Sequence, residues 1–439
     1  MSKKYISFLV LLSSDLISIF IAILISIYIR NNVLNNFIPF EPVSYWDYLM
    51  YPFPYVMIIA LFSYFGLYYR RYDVWQEMFF IFKICFVSFV IVFATLALGK
   101  NIEYYSRTIL ILTFVFASLV LPITRMVVKN KLFEVGVWRK KIKIFGEIDE
   151  LDKKLITSPY IGYELAKGGD YEALFLSSSN VEPIKLNKII ETNVKNHKEI
   201  LFIPVLKQYD FTQAVLYHNF NARVNLFALK NRLLSKKNNF LKTVLDYALS
   251  LMFFPIWGGV ILIVAIIMKI REPKGKVFFL QERLGKNGKV FYCYKFRTMI
   301  SDQKFMQQWL IDNPHEKLYY DTYHKYMNDP RITKLGHFLR KTSLDELPQL
   351  FNVLKGEMSL VGNRPYMVTE KKKMGNFVDI ILATKPGITG LWQVSGRSDV
   401  SFDERLNIDS WYIKNWSLWN DIVILLKTLG VVLKRNGAS

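Results

Sequence analysis

The chain has 439 residues, of which 52% are hydrophobic and 16% aromatic; this is too apolar for a typical soluble domain and long enough for two or three structural units. Its formal charge of +21 calls for an anionic partner, whether anionic lipid, a phosphorylated substrate or nucleic acid. Two cysteines, Cys85 and Cys293, and five scattered histidines argue against a disulfide framework and against a structural zinc site.

Four apolar stretches fill the first third of the chain, at about 5–29, 48–69, 77–99 and 106–128. Each approaches or exceeds the roughly 20 residues a helix needs to cross a bilayer. The first is too long for a cleaved signal peptide, and three more spans follow it. Lys3 and Lys4 precede the first span, Arg70 and Arg71 lie between the second and third, and Lys129, Lys131, Arg139, Lys140, Lys141 and Lys143 follow the fourth. The loops at 30–47 and 100–107 are poorer in Lys and Arg, so the positive-inside rule puts both chain ends and the 68–76 loop in the cytoplasm. Residues 1–135 are therefore expected to form a four-helix transmembrane domain.

Residues 142–230 alternate short β-like runs with polar helical segments. The runs are IKIF (142–145), ALFL (173–176), EILFIPV (199–205) and VNLFAL (224–229). They predict a small Rossmann-like α/β domain over 140–235 with a partly parallel sheet. Only Gly146 follows the first run, so no dinucleotide fingerprint is present, and a regulatory or assembly role is favoured over nucleotide binding.

A fifth apolar stretch runs over 243–270. Arg232, Lys236, Lys237 and Lys242 flank one end, and Lys269, Arg271, Lys274 and Lys276 the other. Both ends favour the cytoplasm, which a full crossing would violate. Pro255, near the middle, disrupts the helical bond to the carbonyl of Leu251. A helix that enters, bends at Pro255 and returns to the same face resolves the conflict; an ordinary kinked span is the alternative.

The polar, Gly- and Pro-punctuated segment 277–399 is the natural seat of chemistry. In KTSLDELPQLFNVL (341–354), Asp345 and Glu346 are adjacent. Ser343 and Glu346 match a capping box at a helix start, and Pro348 fits only a first turn. A helix N-terminus would keep Asp345 ionised and attract phosphate oxygens to the same place. Arg340 lies just upstream, Arg364 follows in LVGNRP (360–365), and Lys295 and Arg297 stand in YKFRTM (294–299). Basic residues around a carboxylate are what phosphoryl transfer requires, since they neutralise the oxygens and position a nucleophile. KPGITGLWQVSGRS (385–398) reads as a loop whose glycines permit close backbone approach to a ligand, with Arg397 as a further phosphate contact. Near the end, Trp411, Trp416 and Trp419 adjoin an amphipathic run, which suits either the membrane interface or a core-packed helix.

Taken together, FFLQERLGKNGKVFYCYKFRTM (278–299), DPRITKLGHFLRKTSLDELPQLFNVLKGEMSLVGNRP (329–365) and KPGITGLWQVSGRS strongly resemble the bacterial sugar transferase family of membrane polyprenyl-phosphate sugar-1-phosphate transferases. The resemblance implies a mainly helical α+β catalytic domain over 240–439 that contains the re-entrant helix 243–270. With four preceding spans and an α/β domain, the chain looks like the large subgroup that initiates O-antigen, capsule and exopolysaccharide synthesis. It implies Asp345 as nucleophile toward a UDP-sugar, release of UMP, a phosphosugar-aspartate, and undecaprenyl phosphate as acceptor. It also implies Mg2+ held by Asp345 and Glu346, phosphate contacts from Arg340 and Arg364, and Lys295 in a conserved segment. The expected location is the inner membrane, with the catalytic domain on the cytoplasmic face and a homodimer through the α/β domain as a reasonable assembly. Two departures stand out: Phe254 where the family often has Ser before Pro255, and Asn363 where many members have Pro. An inactive membrane scaffold and a tethered nucleic-acid binder are the competing classes. The intact Asp345–Glu346 pair with Arg340 and Lys295 argues against the first. The lack of a recognised nucleic-acid module argues against the second.

Overall fold

The computed structural model describes residues 3–46, 53–98, 106–146, 153, 156–166, 171–177, 189–190, 193, 199–203, 215–219, 224–228, 233, 235–300, 305–316, 326, 329–395 and 401–434. The chain divides into two compact units, residues 1–207 and 208–439.

In the first unit, α1 (Lys3–Tyr28), α2 (Phe53–Tyr64), α3 (Val74–Leu98) and α4 (Arg107–Glu134) come from the four apolar stretches. The first (continuing to Asn36), third and fourth are long and apolar enough to cross a membrane; α2 covers twelve described residues, and 47–52 lie outside them. Leu11, Ile23, Ile58, Phe62, Ile81 and Leu121 form the inside of the bundle, while Ile17, Phe86, Leu119 and Ile123 point outward and are exposed. A helix apolar all round needs a lipid surrounding rather than water.

The polarity of this bundle is inverted at one place. Asp15, Glu77, Arg125 and Lys129 are all wholly buried. Arg125 donates from Nε and Nη2 to the two oxygens of Asp15 (2.8 and 2.5 Å) and from Nη1 to Glu77 (2.6 Å). Lys129 donates to the other oxygen of Glu77, which also accepts from the Tyr160 hydroxyl (2.6 Å). Two anions and two cations from three helices thus cancel, and multiple hydrogen bonds offset their desolvation. Replacing Arg125 with Met strands the buried Asp15 carboxylate and leaves Glu77 with Lys129 and Tyr160 alone; it is expected to cost about 3–5 kcal/mol, read as a lowered melting temperature of the detergent-solubilised protein. An unchanged melting temperature would show that the quartet contributes nothing.

The same unit carries a parallel four-stranded sheet in the order β2-β1-β3-β4, from β1 (Lys140–Phe145), β2 (Tyr163–Leu165), β3 (Ala173–Ser177) and β4 (Glu199–Ile203). Three of the strands match the β-like runs. β2 was not anticipated, because three residues are too few to show a period. The VNLFAL run does not join this sheet: β6 (Val224–Ala228) pairs antiparallel with β5 (Val215–Asn219), and both fall in the second unit.

The second unit opens with α5 (Lys236–Met252) and α6 (Phe254–Arg271), which meet at Phe253. Pro255 occupies the first turn of α6, where its missing N–H costs nothing. The Trp257 indole N–H donates to the Ser250 carbonyl (2.8 Å) and ties the two helices across the break. Phe240, Val244, Leu251, Phe254, Ile256 and Leu262 stand exposed along them. The buried side of α6 (Trp257, Ile261, Val264 and Met268) packs with Phe296 and Leu339.

That packing brings together the antiparallel hairpin β7 (Phe278–Leu284) and β8 (Val290–Phe296) and the helix α8 (Lys334–Lys341), which follows α7 (Met306–Asp312). A single 3₁₀ turn, Leu344–Glu346, leads into α9 (Gln349–Leu354). Short β9 (Ser359–Val361) and β10 (Gly387–Thr389) pair in parallel, with α10 (Val378–Leu382) between them in sequence. The glycines of KPGITG permit this close pairing: a Cβ on Gly387 would lie 2.1 Å from the Gly362 nitrogen. The expected ligand loop is therefore a strand followed by the short helix α11 (Leu391–Ser395). The unit ends with α12 (Phe402–Lys414) and α13 (Leu418–Lys434). Trp416 lies in the core rather than at an interface, donating to Asp421, which also pairs with Lys242 (2.6 Å) and accepts from Tyr412.

Candidate active site around Asp345 and Glu346

The turn that carries Asp345 and Glu346 begins at Ser343, whose φ of 55° is left-handed and strained for a residue with a Cβ. Strain of this kind persists where the surroundings fix the backbone, and here it presents two consecutive carboxylates. The expected capping box does not form. Ser343 makes no side-chain cap, and the Glu346 carboxylate instead accepts from Lys295 Nζ on β8 (2.7 Å). A tertiary ion pair to Lys is stronger than a local bond to one backbone N–H, so it takes the carboxylate away from the cap. The pair keeps a third of the Glu346 side chain and a quarter of Lys295 exposed, open to a ligand.

The two carboxylates differ in charge behaviour. Burial, and then the neighbouring Glu346, push Asp345 up to about 6, against the pull of Lys295 and Arg340. Burial alone would raise Glu346 as well, but Lys295, with Arg364 and Arg283 behind it, holds it below the ordinary range. The turn does not lower Asp345 as a helix N-terminus would, although the carboxyl stays mostly ionised at pH 7. One 3₁₀ turn has almost no dipole, and burial beside a fixed anion prevails. A carboxylate near 6 is still mostly ionised at pH 7 and more basic than an exposed one.

Arg340, in the last turn of α8, is fixed by its Nε–H to the Thr298 hydroxyl (3.0 Å) and acts on Asp345. Arg364 is anchored through its backbone N–H to Asp409 (3.2 Å), with its guanidinium 5.8 Å from the centre of the Trp392 ring. Arg297 is engaged at the end of α6, in an ion pair with Glu272 (2.6 Å), rather than with the carboxylate pair. Arg397 lies outside the described residues. Asn363 is buried; its side-chain carbonyl accepts from the Thr384 hydroxyl, so it shapes the loop.

Arg283 escaped the sequence reading. It lies on β7, nearly buried, donating to the Pro365 carbonyl (2.9 Å) and to Gln281 (2.6 Å), and its charge reaches Glu346. The signal was available in the alternation of Phe279, Gln281 and Arg283, which places Arg283 on the strand face of the residue that Lys295 opposes.

Among the described residues, no group of three or more His, Cys, Asp or Glu side chains could hold a metal. Asp345 and Glu346 alone suit Mg2+, a cation that takes one or two carboxylates and completes its shell with water and substrate phosphate.

Residues 237–435 match the family model described as bacterial sugar transferase. The chain is 35% identical over 401 residues to an undecaprenyl-phosphate galactose phosphotransferase of Salmonella typhimurium, covering 84% of this chain and 83% of that protein. It is 31% identical over the full length of both chains to an uncharacterised sugar transferase of Haemophilus influenzae. A UDP-glucose:undecaprenyl-phosphate glucose-1-phosphate transferase of Escherichia coli is 32% identical over 278 residues, 61% of this chain and 55% of that one.

Proposed function

The chain belongs to the bacterial sugar transferase family, and from this premise we propose that it moves a hexose 1-phosphate from a UDP-sugar onto undecaprenyl phosphate. The observation that carries the reading is Asp345, half-buried and basic, beside a Glu346–Lys295 pair and an oriented Arg340. An Asp345 oxygen attacks the sugar-side phosphorus, and the bond from that phosphorus to the bridging oxygen breaks, releasing UMP. A phosphate oxygen of the prenyl acceptor then attacks the same phosphorus, the bond to Asp345 breaks, and the carboxylate is restored. Lys295 and Arg340 neutralise the phosphoryl oxygens as charge moves through them. Mg2+ on Asp345 and Glu346 would supply further neutralisation of the anhydride.

UMP release tests this reading, with detergent-solubilised protein, Mg2+, undecaprenyl phosphate and a panel of UDP-sugars. UMP formed with one sugar supports it. Silence across the panel from folded protein sinks it.

The membrane arrangement belongs to the same proposal. Basic residues flank both ends of α5–α6, the pair breaks at Phe253, and both helices expose apolar side chains. A helix pair that enters and leaves by the cytoplasmic face of the inner membrane meets all three conditions. Cysteines introduced at Lys237 and Lys274 should both react with a reagent confined to the cytoplasm. Labelling of either from the periplasm would make the segment a full span.

A further inference from the structure

Two guanidinium groups, those of Arg283 and Arg364, act on Glu346, and a third, that of Arg405, stands beside Arg364. Arg283 lies on β7; its Nη1 holds the Pro365 carbonyl, next to the backbone of Arg364. Arg364 and Arg405, on α11's Trp392 and from α12 respectively, share one aromatic ring, with their guanidinium carbons 5.8 and 4.6 Å from its centre. Among the described residues no carboxylate pairs with any of the three within salt-bridge distance. The carboxylates that act on them are otherwise engaged: Glu346 with Lys295, Glu370 with the Met367 N–H, and Asp409 with the Arg364 N–H and the Tyr366 hydroxyl. Arg283 is over nine-tenths buried, and its Nε and that of Arg405 have no hydrogen-bond partner. Burial, and then repulsion from Arg364, push both arginines below their usual range.

Gathering like charges with buried donors unmet is costly unless an anion completes the arrangement. Planar guanidinium forks match phosphate oxygens, so the ligand chemistry is a phosphate group. The double displacement proposed above, on which this inference rests, supplies two such groups. Both displacements occur at one phosphorus with Asp345 on one side of it. In-line geometry then requires the UMP phosphate to leave on the opposite side, where the prenyl phosphate enters. We propose that Arg283, Arg364 and Arg405 form a single phosphate cradle, which holds the departing UMP phosphate in the first step and the entering prenyl phosphate in the second.

The test compares wild type with Arg283→Gln and Arg405→Gln, measuring the inhibition constant of UMP, the KM of a soluble polyprenyl phosphate, and inhibition by uridine. Both variants should raise the UMP constant and the acceptor KM together, by about 10- to 100-fold, and leave uridine inhibition unmoved. A rise in only one of the two overturns the shared cradle, as does no rise in either. Wild-type protein provides a check that needs no variant to fold. UMP and the polyprenyl phosphate should each raise its melting temperature, and the two together should do no more than the stronger alone; additive shifts overturn the proposal. Exchange of labelled UMP into the UDP-sugar separates the two readings. Wild type without exchange removes the double displacement, whereas exchange with unmoved constants in the variants removes only the cradle.

Discussion

Asp345→Asn is expected to lower transfer by at least about 10⁴-fold, the scale of nucleophile deletions in other covalent enzymes, while the protein inserts and folds as before. The substitution keeps shape and volume, so packing around the turn is undisturbed. It removes a charge that Glu346 already opposes, and folding therefore loses nothing by it. An amide oxygen has no formal charge to form the new bond to phosphorus, and the variant also withdraws one of two carboxylates suited to Mg2+. Measurement of UMP release, together with mass analysis of the protein after incubation with the UDP-sugar alone, checks both steps. The wild type should gain the mass of one hexose phosphate and the variant none. Turnover within tenfold of wild type would remove Asp345 from the nucleophile role.

Lys295→Met is expected to lower kcat/KM by roughly 10²- to 10³-fold, as for loss of one preorganised electrostatic donor, and to displace its pH profile. Lys295 pairs with Glu346 and pulls both carboxylates down. Without it, two half-buried carboxylates face each other with only the arginines to offset them, and both become harder to ionise. The nucleophile must be charged to attack. In the wild type without a bound cation Asp345 is protonated as pH falls through about 6; bound Mg2+ lowers that point, and below it the rate should drop tenfold per unit. In the variant the same fall should begin at higher pH. Profiles of kcat/KM between pH 5 and 8 decide the matter: an acid limb unmoved by the substitution would show that Lys295 does not set the charge of Asp345.

The two experiments separate roles that the primary structure runs together. Asp345 and Glu346 are consecutive, chemically almost equivalent, and equally surrounded by Lys and Arg in sequence. In the fold one is pushed up by burial and the other held down by an ion pair, so only one is both basic and unpaired enough to react.

The primary structure alone determined the membrane helices, because hydropathy is a sum over contiguous residues and needs no partner. It also placed the helix break near Pro255, since a missing N–H acts on its own turn, and it marked the Asp345–Glu346 turn through the density of basic residues around it. Tertiary structure decided what those residues do. The partner of Glu346 is Lys295, 51 positions away, and that pairing undoes the capping box favoured by local spacing. Asp345 is raised rather than lowered because burial, which no short window records, outweighs the dipole of a single turn. Arg283 joined the site, and Arg297 turned to Glu272, through strand register and packing. Asp15, Glu77, Arg125 and Lys129, each an unwelcome charge in its own helix, became acceptable only once three helices brought them together. Local propensity and hydropathy add up along the chain, whereas ion pairing and desolvation depend on distances that exist only after the chain has folded.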